Sequence, residues 1–446
     1  MLSNWISNII LRNLQPRVFV SHGKLNKISS PLLVDLYDFI FSRSQYFSPE
    51  SLEMIQRRRL EQIIDRARSS NAFYGEYLKN ISTVKDFFSL KPITKETLRN
   101  ASDCGLLRNE KLKEFAIPQD TSGSTGVPLS FFLDKNMLAR RRAIYRRMLS
   151  WIGKTDEDFV VLLMPRHHPG LESEALLFQC GSPVQLEKDF GKLCSILENK
   201  SVILQSRASH LVRLAQILEK NVPKISFKAV ISYTEELHPP VRDYLVKILD
   251  APVFNYYASN EITAIGQECE IREGFHINSE WVLVEVVGKD CRPLPAGERG
   301  DIVITSFDNE VFPFIRYKIG DRGYWIKESC SCGRTLPRLE VEGRDIFSFL
   351  LPNGQAGYFY ELIYPIAKLI SKIKQYQVIR HAPHRFTIRI VPGPAFQKGD
   401  HKLISDKFRE YIGSSVDVTI LPVKEIERPS NSKHVSFINL HKDHLQ

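Results

Sequence analysis

The chain has 446 residues, 43% hydrophobic and 25% charged, enough apolar material to bury the cores of two or more domains. Its formal net charge of +10 suits anionic partners such as a nucleotide, CoA or a phospholipid surface, or marks a basic solvated surface. No helix-turn-helix pattern or stripe of alternating basic and aromatic residues stands out, so nucleic acid is not the expected partner. Seven cysteines with no secretory signal argue against a disulfide framework and for a reducing cytoplasm.

No run approaches the ~20 apolar residues that span a bilayer. The opening LSNWISNIILRNLQ is amphipathic, with one Trp and sparse charge. Such a helix either packs on its own domain or makes peripheral contact with the inner face of a membrane. From Ser48 to Leu78, apolar residues at Leu52, Ile55, Leu60, Ile63, Ile64 and Ala67 keep helical spacing behind a Ser-Pro start.

Gln119 to Pro128 is Q-D-T-S-G-S-T-G-V-P. Gly123 and Gly126 free the backbone to turn its N–H groups to one side, and Thr121, Ser122, Ser124 and Thr125 add hydroxyl donors, so the loop can wrap a polyphosphate. It lacks the lysine of a Walker loop, and the apolar FVVLL strand follows it instead of preceding it. T-S-G-S-T-G-x-P resembles the phosphate loop of the adenylate-forming acyl-CoA synthetase superfamily, in its phenylacetate-CoA ligase-like branch. The segments ending in F-Y-G-E-Y-L at Leu78 and L-K-P-I-T-K-E-T-L at Leu90 to Leu98 resemble the entry to such enzymes.

Downstream, Leu129 to Leu133 is expected to be a strand and Met137 to Trp151 a helix. The arginines at 140, 141, 142, 146 and 147 of that helix are read as a solvated face. Phe159 to Pro165 and Ser201 to Ser206 are short buried strands, and strand and helix alternate to Leu249. That alternation predicts an α/β fold with a doubly wound parallel sheet and ligands off the carboxyl ends of its strands.

KAVISYTEEL from Lys228 and APVFNYYASNEI from Ala251 carry the resemblance further. It implies that Ser232, Tyr233, Thr234 and Glu235 line one face of adenine, that Tyr257 stacks on the other, and that Glu261 holds Mg²⁺ on the phosphates. A π face suits a purine and a carboxylate suits a hard cation. Ala258 and Asn260 stand where the family has Gly and Thr or Ser; Asn260 loses the hydroxyl and keeps an amide. Next, P-F-I-R-Y-K-I-G-D at Pro313 to Asp321 resembles the family's Arg-Tyr-x-x-Gly-Asp motif. The likeness implies that Asp321 accepts both ribose hydroxyls and that Arg316 frames the site through backbone or phosphate contacts.

L-P-R-L-E-V-E-G-R-D-I at Leu336 to Ile346 resembles the family hinge, implying that Arg344 reaches the nucleotide and Asp345 is the pivot. The turn L-P-N-G at Leu351 resembles capsule-cluster relatives. Near the end, S-N-S-K-H resembles the mobile lysine loop and makes Lys433 the catalytic lysine, with Ser432 in place of Gly. The resemblance therefore implies a large domain over residues 1–344, built of doubly wound sheets plus a small β-rich subdomain. A small mobile α/β domain over 345–446 would carry Lys433.

Cys269, His276, Cys330 and Cys332 form a separate set. Thiolate and imidazole are the ligands tetrahedral zinc prefers, and four of them close the shell, so a structural Zn²⁺ is expected. Gly333 would relieve the bend of the Cys-x-Cys knuckle.

The resemblance implies an AMP-forming ligase that adenylates a carboxylic acid with ATP, releasing pyrophosphate, aromatic acids being usual in the family, and then passes the acyl group to CoA or a carrier thiol. Two alternatives stay open: adenylyl transfer to a cell-surface glycan or other acceptor without CoA, and a nucleotide-binding scaffold without catalysis.

Overall fold

The computed structural model describes residues 31–103, 116–120, 129–164, 171, 173–180, 183–220, 225–344, 348–350, 356–358, 366, 369, 371–426 and 437–441. In chain order its helices are α1 (Pro31–Ser44), α2 (Pro49–Ser70), α3 (Ala72–Tyr77), α4 (Val84–Phe87), α5 (Lys95–Asp103), α6 (Leu138–Trp151), α7 (Pro183–Leu197), α8 (Ala208–Leu218), α9 (Pro239–Leu249) and α10 (Lys398–Ile412). Its strands are β1 (Ala116–Asp120), β2 (Ser130–Asp134), β3 (Asp158–Met164), β4 (Leu176–Gln179), β5 (Ser201–Ser206), β6 (Ser226–Tyr233), β7 (Val253–Tyr257), β8 (Gly266–Gln267), β9 (Phe275–Ile277), β10 (Val282–Val287), β11 (Gly300–Ser306), β12 (Tyr317–Trp325) and β13 (Arg338–Arg344). The last six are β14 (Ser348–Leu350), β15 (Ala356–Tyr358), β16 (Ile373–Ala382), β17 (Arg385–Pro392), β18 (Asp417–Pro422) and β19 (Phe437–Asn439). Among the described residues no helix is long and apolar enough to cross a membrane. The chain forms two compact units, one drawn from Met1–Asp156, His168–Glu174 and Asn255–Glu342, the other from Glu157–His167, Ala175–Phe254 and Gly343–Gln446.

In the first unit β10, β11, β12, β13, β9 and β8 lie side by side and end on the Asn255–Tyr257 part of β7. Helix α2 begins as its sequence predicts: Ser48 Oγ caps the Ser51 N–H and Pro49 fills the first turn, where a missing N–H costs nothing. The helix expected to run to Leu78 instead stops at Ser70. Asn71 turns extended and caps the N–H of Tyr74 with its own side chain, which starts α3.

Helix α6 departs from its expected role. Arg140, Arg141 and Arg147 are buried. Arg140 joins Arg59 of α2 on the carboxylate of Asp308, and Arg147 holds Glu280 at 2.8 Å and Asn278 at 2.5 Å. Arg142 and Arg146 share Glu174. A long guanidinium stem packs as apolar surface while its head satisfies a buried acid, so arginine on several faces here marks an interior ion-pair helix.

In the second unit β4, β3, β5 and β6 are parallel, as expected of the doubly wound pattern. Leu204, Val230, Leu211 and Leu245 form one core with Val378, Phe386 and Phe408 from the C-terminal elements. There β18-β17-β16-β19 is a separate sheet beneath α10. Gln216 of α8 donates to the Ile373 carbonyl at 2.7 Å, joining the two parts of this unit.

Candidate functional site

Within the first unit the residues of three motifs meet. Tyr257 ends β7, packs a tilted ring 5.5 Å from Phe275, and donates its hydroxyl to Asp321 Oδ2 at 2.8 Å. Asp321 is delivered by the turn-prone Gly320, whose φ of +91° a side chain would resist. Between β7 and β8 a tight hairpin carries Glu261, fixed by Ser259 Oγ accepting from the Ile262 N–H at 2.9 Å. In that hairpin Asn260 donates its amide to the Asp120 carbonyl at 3.4 Å. Asp120 is the last residue of β1, pairs with Ser130 of β2, and accepts the Ser130 hydroxyl at 2.7 Å. The two ends of the segment bearing the hydroxyl-rich loop are therefore pinned together beside the Glu261 hairpin. Asn260, a departure from the family pattern, makes that connection.

The Arg316 side chain is spent inside the protein. Its guanidinium is wholly buried, pairs with Glu285 at 2.8 Å, and donates to the carbonyls of Phe88, Leu90 and Cys291. Its backbone lies at φ +45° with its N–H on Thr305 Oγ1 and its carbonyl accepting from Ile93. It anchors the L-K-P-I-T segment against the start of β12. The neighbouring Tyr317, which sequence reasoning passed over, donates to Glu261 Oε1 at 3.2 Å. The only sequence signal for it was its place beside Arg316 in the motif. Glu261 is 9% exposed and, among the described residues, forms no ion pair. A nearly buried carboxylate without a counter-charge suits a cation, so the residues present fit a magnesium ion.

Ser232 and Tyr233 end β6 in the second unit, and Thr234 and Glu235 follow it. Ser232 and Tyr233 are buried, and burial pushes the Tyr233 hydroxyl far above the usual phenol range. Thr234 takes a left-handed φ of +62°, and Glu235 accepts the Ser209 N–H at 2.8 Å. Among the described residues the Ser232 and Thr234 hydroxyls have no hydrogen-bond partner, as fits a strand end shaped for a ligand or water. Thr121, Ser122, Gly123, Ser124, Thr125, Gly126, Asp345 and Lys433, and the side chain of Arg344, lie outside the described residues.

The four metal-type residues converge. The ligand atoms of Cys269, His276, Cys330 and Cys332 all lie within 4.8 Å of one another. Tetrahedral zinc with Zn–S ~2.3 Å and Zn–N ~2.0 Å has S–S and S–N edges of ~3.8 and ~3.5 Å. Cys269 Sγ to Cys330 Sγ is 3.7 Å, and Cys332 Sγ to His276 Nε2 is 3.4 Å. His276 Nδ1 is 2.9 Å from the Leu336 carbonyl, which can only accept, so Nδ1 carries the proton and the Nε2 lone pair faces the thiols. Burial pushes the imidazole down to about 4 and the Cys269 thiol up to about 12, whereas against burial the hydrogen bonds of Arg334 hold the Cys332 thiol below its usual range. Gly333 takes φ +79° in the knuckle, as its position predicts. The donor chemistry and edges fit zinc.

No protein-family model matches the chain. It is 25% identical over 438 residues to the phenylacetate-coenzyme A ligase of Thermus thermophilus, spanning 88% of this chain and 97% of that protein. It is 24% identical over 290 residues to protein CapK of Staphylococcus aureus, 60% of this chain and 62% of that one. Among solved structures, 2-hydroxyisobutyryl-CoA ligase in the postadenylation state superposes with a TM-score of 0.74 at 19% identity, covering 89% of this chain and 91% of that one. The chain is thus similar in sequence to phenylacetate-coenzyme A ligase and to protein CapK, and it carries the fold of the adenylate-forming CoA ligases.

Proposed function

We propose that the chain is an ATP-dependent, AMP-forming ligase that adenylates a carboxylic acid and transfers the acyl group to CoA or another thiol. The observation that carries this reading is the meeting, in one unit, of the Tyr257–Asp321 bond, the Glu261 hairpin and the root of the hydroxyl-rich loop. Its sequence relation to phenylacetate-coenzyme A ligase supports the reaction class.

In this reading Tyr257 stacks on adenine, Asp321 accepts the ribose hydroxyls, and the loop from Thr121 to Gly126 cradles the phosphates with its N–H and hydroxyl donors. Glu261 would hold Mg²⁺, which when bound neutralises phosphate charge. A carboxylate oxygen of the acid attacks the α-phosphorus, the bond to the β-phosphate breaks, and pyrophosphate leaves. Lys433 and Arg344 stabilise the charge that gathers there. The thiol sulfur then attacks the acyl carbon, its proton passes to solvent, and AMP leaves. Rotation of residues 345–446 about Asp345 exchanges Lys433 for the thiol between the steps. The tetrad at Cys269, His276, Cys330 and Cys332 would hold a structural Zn²⁺ with no open position for chemistry.

The test is ATP–pyrophosphate exchange driven by a panel of carboxylic acids that includes phenylacetate, in wild type and Lys433→Ala. Acid-dependent exchange that falls by ~100-fold or more in the variant is expected, in line with losing one charge stabiliser of the transition state. ATP binding with no exchange across the panel would replace this reading with the scaffold. Exchange that yields a stable AMP ester, with no thiol consumed, would replace it with adenylyl transfer.

A further inference from the structure

We propose that Tyr317 is a positioning residue for Glu261, fixing the carboxylate so that one oxygen is held by the protein and the other is turned toward the cation that accompanies ATP. This rests on the function proposed above and adds a residue to it. Tyr317 is 2% exposed and Glu261 9%, and the hydroxyl of the first donates to Oε1 of the second at 3.2 Å. Among the described residues that is the contact Glu261 Oε1 makes; Oε2 is not spent on a hydrogen bond or an ion pair. A glutamate so enclosed has three torsions to fix, and one directional bond at one oxygen selects the orientation of the other.

Tyr317 can play this part because its own place is over-determined. Its backbone bridges Ile93 on one side and pairs with Ile304 on the other, and its ring lies 5.3 Å from Phe314. Immediately ahead, the left-handed backbone of Arg316 sets the direction in which β12 starts, and the buried Arg316–Glu285 pair keeps it there. The motif thus divides its work: Arg316 anchors, Tyr317 orients Glu261, and Gly320 turns Asp321 out to its bond with Tyr257.

The test is Mn²⁺ binding, followed by the loss of the free-ion electron paramagnetic resonance signal, to wild type and Tyr317→Phe saturated with ATP. Glu261→Ala and the double variant complete the cycle. Nucleotide affinity is measured separately in EDTA, and melting curves check folding. The phenylalanine keeps the packing and removes one hydrogen bond, so the Mn²⁺ dissociation constant of the ATP complex should rise ~3- to 10-fold. Affinity for ATP in EDTA should hold within twofold. In the Glu261→Ala background the same change should add nothing. An unchanged Mn²⁺ constant, or an equal loss with and without Glu261, overturns the proposal. If wild type binds ATP in EDTA yet the bound nucleotide gains no affinity for Mn²⁺, the role of Glu261 falls and Tyr317 with it. If ATP itself does not bind, the ligase reading falls first.

Discussion

Tyr257→Phe isolates one bond in the candidate nucleotide site. The ring and its packing on Phe275 stay, and only the hydroxyl that donates to Asp321 Oδ2 at 2.8 Å is lost. A hydrogen bond to a charged group contributes ~1.5–3 kcal/mol when shielded. Both side chains are partly exposed, and water can replace part of the loss, so ~1 kcal/mol is the expected remainder, or about a 5-fold weaker ATP complex. The carboxylate has about four lone-pair sites, so the phenol leaves room for both ribose hydroxyls, and losing it frees the carboxylate to rotate away from them. The sign is therefore a loss of affinity. Titration calorimetry with ATP and with 2′,3′-dideoxy-ATP checks the cause. The penalty should appear with ATP and vanish with the dideoxy nucleotide, which offers Asp321 nothing to accept. Equal penalties for the two, or none for ATP, would refute the assignment of Asp321 to the ribose.

Three further outcomes follow from the geometry. Protein purified without chelator should carry about one zinc per chain by elemental analysis, and Cys330→Ser should reduce that and lower the melting temperature; a metal-free wild type of equal stability would remove the zinc assignment. Arg316→Met strands the buried Glu285 carboxylate and should cost ~3–5 kcal/mol in urea unfolding, whereas a change under ~1 kcal/mol would show that the pair does not anchor the strand. His238 is pushed down to about 4 by burial, from an ordinary 6.5. Its neutral ring thus favours the fold above pH ~6.5, and that contribution is lost as pH falls toward ~4, by at most ~3 kcal/mol. Charging beside Glu236, 3.4 Å from Nδ1, returns part of it. His238→Gln should flatten the fall in stability across that interval, and parallel curves for the two proteins would refute the linkage.

The order of the motifs made much of the site legible before any coordinates. Tyr257 and Asp321 were assigned to one nucleotide from their words alone, and they touch. The tetrad was chosen from ligand chemistry, and its four ligand atoms converge. The arginines of α6 were misread for a physical reason. Whether a guanidinium faces water depends on whether an acid awaits it in the core, and Asp308 and Glu280 lie more than 130 residues further along the chain. The ion pair of Arg316 was unreadable for the same reason, since Glu285 lies in β10 and gives no local cue. The break at Asn71 was locally readable, because asparagine ahead of a short apolar run is a good helix cap, but the unbroken apolar spacing before it hid the stop.

The first unit is assembled from the two ends of a long detour. Ile93 accepts from Lys318 and donates to Arg316, so the segment near residue 93 has no partner until the ribosome has added more than two hundred residues. At ~5–20 residues per second that is a wait of ~10–45 s, during which the segment around Ile93 lacks the strand it pairs with. Closing so large a loop is slow and holds sticky surface open. Expression at lowered temperature or with added chaperone should therefore raise the yield of folded protein more than any substitution on the finished surface.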